Sequence, residues 1–209
     1  MRKLSPFIIL VFIAVISSCK KDNNPSQNII SEFPNEIGNH WRYLYTWGFA
    51  IIRHDTIDVD IVGTRTITGG QTAKVWAYKY NFNNYPMVRD TNYVVVDSQL
   101  VKVYIYAYGS YYERKRYKLP VTVGDTWTIP QNYKDTTWVR DNYSVNVPAG
   151  TFTNTYELRQ ERKYIVNSWT NNDIWLSPQV GLVKFNQSEY SLGDVLGNGL
   201  WELISYSIQ

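Results

Sequence analysis

Apolar and polar residues alternate along this chain with a period of two from Phe33 onward, and no stretch repeats convincingly at helical spacing. Ile57, Val59 and Ile61 fall on one side of an extended segment, while Asp58 and Asp60 fall on the other. Val139, Tyr143, Val145 and Val147 oppose Trp138, Arg140, Asn142 and Asn146 in the same way. Successive side chains of a strand point to opposite faces, so this pattern gives each strand one face for a core. Turn-forming residues break the runs at short intervals: Gly69-Gly70, Asn83-Asn84-Tyr85-Pro86, Gly109-Ser110, Pro148-Ala149-Gly150 and Gly197-Asn198-Gly199. The expected fold is therefore all-β, an antiparallel meander built of hairpins. The only helical element expected is a short turn near Ile29 to Phe33.

The chain also resembles itself. Phe33-Pro34 through Gly38-Asn39-His40-Trp41 aligns with Leu119-Pro120 through Gly124-Asp125-Thr126-Trp127, 86 positions later. Val101-Lys102-Val103 is echoed by Val183-Lys184-Phe185 at an offset of 82. Either the domain holds two related halves, 33–118 and 119–209, each with room for about six strands, or Gly-Asn/Asp-x-Trp recurs because it suits a turn that enters a strand.

Ahead of this region, Met1-Arg2-Lys3 precedes an apolar run from Phe7 to Ile16 and then Ser17-Ser18-Cys19. A charged start, a short apolar core and small residues before the cut are the pattern of a secretory signal peptide. The core is too short to span a bilayer. Ile16-Ser17-Ser18-Cys19 resembles the lipobox of bacterial lipoproteins. The resemblance implies removal of residues 1–18 and lipidation of Cys19 with diacylglyceryl and acyl groups such as palmitate. Residues 19–29 are then the lipidated cysteine and a flexible polar tether to a single domain, 30–209. Several acyl chains make such attachment effectively permanent. Lys20, in place of the Asp that retains some lipoproteins at the inner membrane, points to the outer membrane, on its periplasmic face or at the cell surface.

Cys19 is the single cysteine, so neither an internal disulfide nor a cysteine zinc site is available. Removing Arg2 and Lys3 from 21 basic residues leaves 19 against 18 acidic ones, a balance of +1. That is too even for nucleic-acid binding through bulk charge. The basic run Glu113 to Lys118 fits a solvated edge strand that resists aggregation.

Three segments resemble signatures of secreted β-rich lipoproteins of unknown function: Phe33-Pro34 to Trp41, Val147-Pro148-Ala149-Gly150-Thr151-Phe152, and Pro178-Gln179-Val180-Gly181-Leu182-Val183-Lys184. The resemblance implies a large antiparallel meander sheet curled into a half-barrel or open barrel, similar in outline to periplasmic lipoprotein carriers. It implies no activity.

Chemistry is sparse. His40 and His54 have no second histidine at ligand spacing, and His54, Asp58 and Asp60 on one strand would spread over roughly 20 Å. No Gly-x-Ser-x-Gly elbow, phosphate loop or outstanding carboxylate pair is visible. No metal, cofactor or catalytic residue is assigned. The aromatics stand out instead, as alternate-position stripes: Trp41, Tyr43, Tyr45, Trp47; Trp76, Tyr78, Tyr80; and Tyr104, Tyr106, Tyr108. Opposite the third stripe, Val101, Val103, Ile105 and Ala107 supply a face that is cheaper to bury, having no polar atoms to satisfy. Tyr104, Tyr106 and Tyr108 are thus expected to line a groove with Trp76 and Tyr78. The expected function is a non-catalytic, lipid-anchored envelope protein, a binding or scaffold module with an apolar ligand in an aromatic concavity. The alternatives are a glycan binder that stacks sugars on Tyr and Trp stripes and, further off, an envelope glycan hydrolase. The expected partners are the membrane, through Cys19, and a lipid or glycan ligand.

Overall fold

A computed structural model describes residues 33–48, 52–82, 88–97, 99–130, 134–165, 168–177, 179–191 and 194–209. The signal segment, Cys19, the tether, the turn near Ile29, the Asn83 to Pro86 turn and Pro178 lie outside the described residues. The alternating segments become twelve strands: β1 (His40–Trp47), β2 (Arg53–Thr66), β3 (Thr72–Asn81), β4 (Val88–Val96), β5 (Leu100–Ala107) and β6 (Ser110–Lys118), then β7 (Thr126–Pro130), β8 (Lys134–Val147), β9 (Gly150–Ile165), β10 (Ser168–Ser177), β11 (Gly181–Ser191) and β12 (Asp194–Ser207). Among the described residues the only helical element is a 3-10 turn at Thr68–Gly70.

All twelve strands belong to one antiparallel sheet in the order β6-β5-β4-β3-β2-β1-β12-β11-β10-β9-β8-β7. Every neighbour is a hairpin partner except β1 and β12, which pair in the middle of the sheet. The sheet curls until β6 and β7 approach, leaving an open barrel with one unsealed seam. Side chains bridge that seam where backbone ladders do not. Trp127 Nε1 donates to the Arg116 carbonyl at 2.7 Å, Arg162 donates to the Arg114 carbonyl, and Lys118 pairs with Asp125 at 3.1 Å. Edge carbonyls that would otherwise invite a foreign strand are thereby occupied.

Register brings the inner faces into rows. Tyr45, Trp201, Phe185, Ile174, Leu158 and Val139 stand opposite one another in turn across six strands. Leu158, Ile174 and Val139 are buried in a cluster with Val101, Val103, Tyr117 and Tyr156 that fills the interior. The expectation that the aliphatic face of β5 packs the core is met at Val101 and Val103. Phe33 closes one end of the barrel, its ring stacked near Trp76 (5.9 Å) and Tyr117 (6.2 Å). Trp76 Nε1 donates to Asn35 Oδ1 at 2.8 Å and ties the entering chain to that end.

The two Gly-x-x-Trp units make the same local bonds. Gly38 N donates to Ile61 O as Gly124 N does to Val139 O, each at 3.0 Å. Ile61 N returns to Asn39 O as Val139 N returns to Asp125 O. Both glycines have positive φ (96° and 90°), which a side chain would strain. Each unit opens a run of six strands, β1–β6 and β7–β12. Trp41 is buried and Trp127 half-buried.

Two local expectations are corrected. Gly197-Asn198-Gly199 is not a turn but part of β12. Gly197, Asn198 and Gly199 pair with Glu189, Ser188 and Gln187, because neither glycine takes a positive φ. The basic run is an edge strand, but only in part a solvated one. Lys115 stands opposite the inward Val103 and points into the barrel, its Nζ 4.5 Å from the centroid of the Phe185 ring.

Candidate functional site: the open mouth of the barrel

From the apolar row the interior becomes polar in two steps toward the end opposite Phe33. The next inner row reads Trp47, Gly199, Gln187, Asn172, Gln160 and Thr137. The one beyond reads Gly197, Glu189, Thr170, Arg162 and Asp135. These polar groups are largely bonded to one another. Gln160 Nε2 donates to Asp135 Oδ1 at 3.0 Å, and Arg162 Nε to Asp135 Oδ2 at 2.8 Å. Asn172 Nδ2 donates to Gln160 Oε1 at 2.9 Å, whereas Asn172 Oδ1 is buried and receives no hydrogen bond. Gln187 Nε2 donates to Glu189 Oε1 at 2.7 Å.

Within this end lies a recess of ≈ 490 Å³, walled by Tyr45, Trp47, Tyr80, Trp201, Gln187 and Glu189 and by the stretch Gly197 to Gly199. Trp201 forms the floor. Its indole meets Tyr45, Tyr80 and Phe185 edge to face, at centroid separations of 5.9, 6.2 and 5.7 Å. Such tilted contacts hold aromatic rings rigidly. Tyr45 and Trp47, two positions apart on β1, lie nearly parallel, 13° between planes. Trp47 Nε1 donates to Asp55 Oδ2 at 2.7 Å, and the Arg53 guanidinium sits 5.1 Å from the Trp47 ring centroid. Burial, with Glu189 and Asp55 nearby, pushes the Tyr45 hydroxyl above the usual tyrosine range. Burial does the same to Tyr80. Both phenols are therefore neutral hydrogen-bonding groups at physiological pH.

The two glycines shape the recess. Since both have extended backbones, no turn requires them. A Cβ on Gly199 would come within 3.0 Å of the Tyr45 ring, so the missing side chain makes room for that ring. A Cβ on Gly197 would meet nothing within 4 Å, so the space before it is open. Glycine inside a strand commonly marks such a close approach.

The structure divides the residues expected to form one groove. Trp76 and Tyr78 are on the inner face. Trp76 stacks on Trp41 at 5.0 Å, and burial pushes the Tyr78 hydroxyl up to about 12. Tyr104 and Tyr106 are on the outer face, Tyr104 opposite Tyr93 in a separate small cluster with Ile67 and Ala73, and Tyr106 opposite Tyr111 and exposed. Tyr108 stands in the β5–β6 turn, 97% exposed. The single groove is therefore corrected: on β3 the aromatic stripe faces inward, whereas on β5 the aliphatic stripe does. Of the mouth residues, Tyr45, Trp47 and Tyr80 belong to the aromatic stripes of the sequence, whereas Trp201, Gln187 and Glu189 belong to no pattern there. A further local signal is the Gly-x-Gly pair within a run of strand-forming residues.

The histidines lie on the outer face, His40 at the Phe33 end of β1 and His54 behind the mouth, and neither lines the recess. His40 Nδ1 is 2.7 Å from Asp60 Oδ1, and His54 Nδ1 is 3.0 Å from Thr46 Oγ1. Asp58 accepts from Arg42 and from Asn81. Burial pushes its carboxyl up, but these hydrogen bonds outweigh it and hold the group below the usual range. Among the described residues, no three His, Cys, Asp or Glu side chains gather as metal ligands would.

Fold and site together define a twelve-stranded open meander barrel, packed at its centre and closed at one end, with an aromatic, polar-rimmed recess at the other. The sequence matches no family model and no curated protein. Among solved structures the chain is similar to a Parabacteroides distasonis protein provisionally called a lipoprotein. The identity is 14% and the TM-score 0.54, over 84% of this chain and 97% of that one. A Bacteroides fragilis protein, provisionally called exported and said to have a YmcC-like fold, is similar at 12% identity and a TM-score of 0.46, over 84% and 98% of the two chains. At 14% identity the likeness to the Parabacteroides distasonis protein is one of fold.

Proposed function

We propose that this chain is a non-catalytic lipoprotein of the cell envelope, anchored in the outer membrane through lipid on Cys19, that holds a small ligand in the barrel mouth. The observation that carries the binding role is the interior itself. Rings and aliphatic side chains fill it up to Trp201, and the filling stops there, leaving a recess of ≈ 490 Å³. That volume falls within the roughly 300–1,000 Å³ of ordinary ligand sites. A packed centre does not suit a long acyl chain threaded along the axis, so the ligand sits at the mouth. The leader and its lipobox-like end support the anchor, as does the name of the Parabacteroides distasonis neighbour. Cys19 precedes Phe33 by fourteen residues, and Phe33 enters at the closed end, so the mouth is carried on the side away from the tether.

Labelling cells with radioactive palmitate and fractionating the envelope tests the anchor. Wild type is labelled and sediments with outer membrane, whereas Cys19→Ala is unlabelled and soluble. A Cys19→Ala protein that still sediments with the membrane refutes lipid anchoring.

A further inference from the structure

Resting on the mouth as the binding site, we infer that its ligand is a neutral saccharide, stacked on the aromatic floor and hydrogen-bonded to the Gln187–Glu189 pair. Sugar rings present both kinds of surface that the recess offers. Their C–H faces suit the flat faces of tyrosine and tryptophan, and their hydroxyls suit amide and carboxylate groups set beside those rings. The Glu189 carboxylate takes the Gln187 amide on one oxygen, and a carboxylate accepts several donors. The recess-facing acceptors are the free oxygen of Glu189 and the Gln187 carbonyl, and sugar hydroxyls can donate to both.

Other ligand classes fit less well. An acyl chain in the recess would strip water from Gln187 and Glu189 and return no hydrogen bonds, a cost that rises with burial. An acidic ligand would meet the Glu189 carboxylate on the recess wall, while the Arg53 guanidinium beside Trp47 offsets the charge of Asp55 there. A neutral ring avoids both penalties. Gly197 completes the case. Its extended backbone accepts any residue and nothing lies within 4 Å of its Cβ direction, so only the recess benefits from the missing side chain.

This makes Gly197→Val a discriminating variant. It adds bulk to the recess without backbone strain, and valine suits a strand better than glycine does, so folding should be unharmed. The test uses full-length lipidated protein in a zwitterionic detergent. Maltopentaose, cellopentaose, xylopentaose and galactobiose are titrated separately, with oleate as the apolar probe, and binding is followed by tryptophan fluorescence and calorimetry. The expected result is saturable binding of at least one saccharide, weakened at least about tenfold by Gly197→Val, with a melting temperature equal to or above wild type. Oleate binding that Gly197→Val abolishes, with no saccharide bound, overturns the sugar assignment and leaves the mouth as the site. Saccharide binding indifferent to Gly197→Val overturns the placement. If neither sugars nor oleate bind, the mouth reading falls, and the sugar assignment with it.

Discussion

Lys115 places an amine inside the barrel, and that makes stability depend on pH in an unusual direction. Burial, with Arg114 and Arg162 nearby and Asp135 only partly opposing them, lowers its pKa from 10.5 to about 8. A base whose folded pKa is depressed costs stability wherever it must be charged. The cost is fully present below pH 8 and disappears as pH rises from 8 toward 10.5, where the unfolded chain still holds the proton and the folded one does not. A fall from 10.5 to about 8 is worth about 3 kcal/mol at neutral pH. Between pH 7 and pH 9.5 about 2 kcal/mol of that returns, which for a domain of this size raises the melting temperature by about 4–8 °C. The tyrosines leave the window clear up to about pH 9. Tyr43, Tyr45, Tyr78, Tyr80, Tyr104, Tyr117 and Tyr143 have raised folded pKa values, so each gives up stability as its unfolded phenol ionises near pH 10, at most about 0.2 kcal/mol apiece by pH 9.5 and little below pH 9. Lys115→Met keeps length and volume and removes the charge. It gives up the contact with the Phe185 ring, worth about 0.5–2 kcal/mol, and should still be more stable than wild type at pH 7 by about 1–3 kcal/mol. The assay is thermal unfolding followed by near-ultraviolet dichroism at pH 7, 8, 9 and 9.5. Wild type should climb with pH and Lys115→Met should not. A flat wild-type profile, or a variant that runs parallel to it, refutes the buried-amine argument.

Further perturbations probe the barrel wall and its seam. Trp41→Ala removes a fully buried indole and its hydrogen bond to Val180 O, and should cost about 3–5 kcal/mol in urea unfolding. Trp127→Ala, half-buried at the seam, should cost about 1–2 kcal/mol and speed amide exchange in β6 and β7, whose edge it bridges. Gly199→Val, unlike Gly197→Val, should destabilise by about 1–3 kcal/mol, because its side chain meets the Tyr45 ring. Equal melting temperatures for the two glycine variants would contradict the contrast drawn between them.

Much of this architecture is legible from period-two alternation. Val101 and Val103 on one side of β5, or Ile57, Val59 and Ile61 on one side of β2, declare a core face by hydrophobicity alone. The aromatic stripes do not, since tyrosine and tryptophan serve equally in a core and on a half-wet wall. On β3 the face opposite Trp76 and Tyr78 carries only Val75 and Ala77 in register with them, so the large rings are the core. On β5 branched aliphatics compete and Tyr104 goes outward. That outcome is set by which strands meet across the barrel, and it depends on register and bulges, such as those at Ile61/Gly63 and Val103/Tyr104, that no short window of sequence contains. Gly197 and Gly199 are ambiguous for a related reason. A glycine chosen for space looks, in sequence, like a glycine chosen for a turn. By spacing alone Lys115 belongs with its solvated neighbours, but Arg114 bulges out of β6, shifts the parity of the strand and turns Lys115 inward.

The seam has a consequence for how the chain can be threaded. Residues 119–125 are the covalent link across it, joining two strands that share no ladder, while residues 40 and 207 are paired at the centre of the sheet. The break in hydrogen bonding and the break in the polypeptide therefore lie on opposite sides of one ring. Opening the chain between Lys118 and Thr126 and splicing Gln209 to Phe33 would yield a circular permutant in which every neighbouring pair of strands is a local hairpin. The native connectivity does the reverse. It leaves the central pair, β1 with β12, as the contact of greatest sequence separation, whose loop-closure entropy is lowest only after the other ten strands have zipped together. The two six-stranded wings can thus each form from local contacts, and the middle of the sheet is the piece for which the chain must wait.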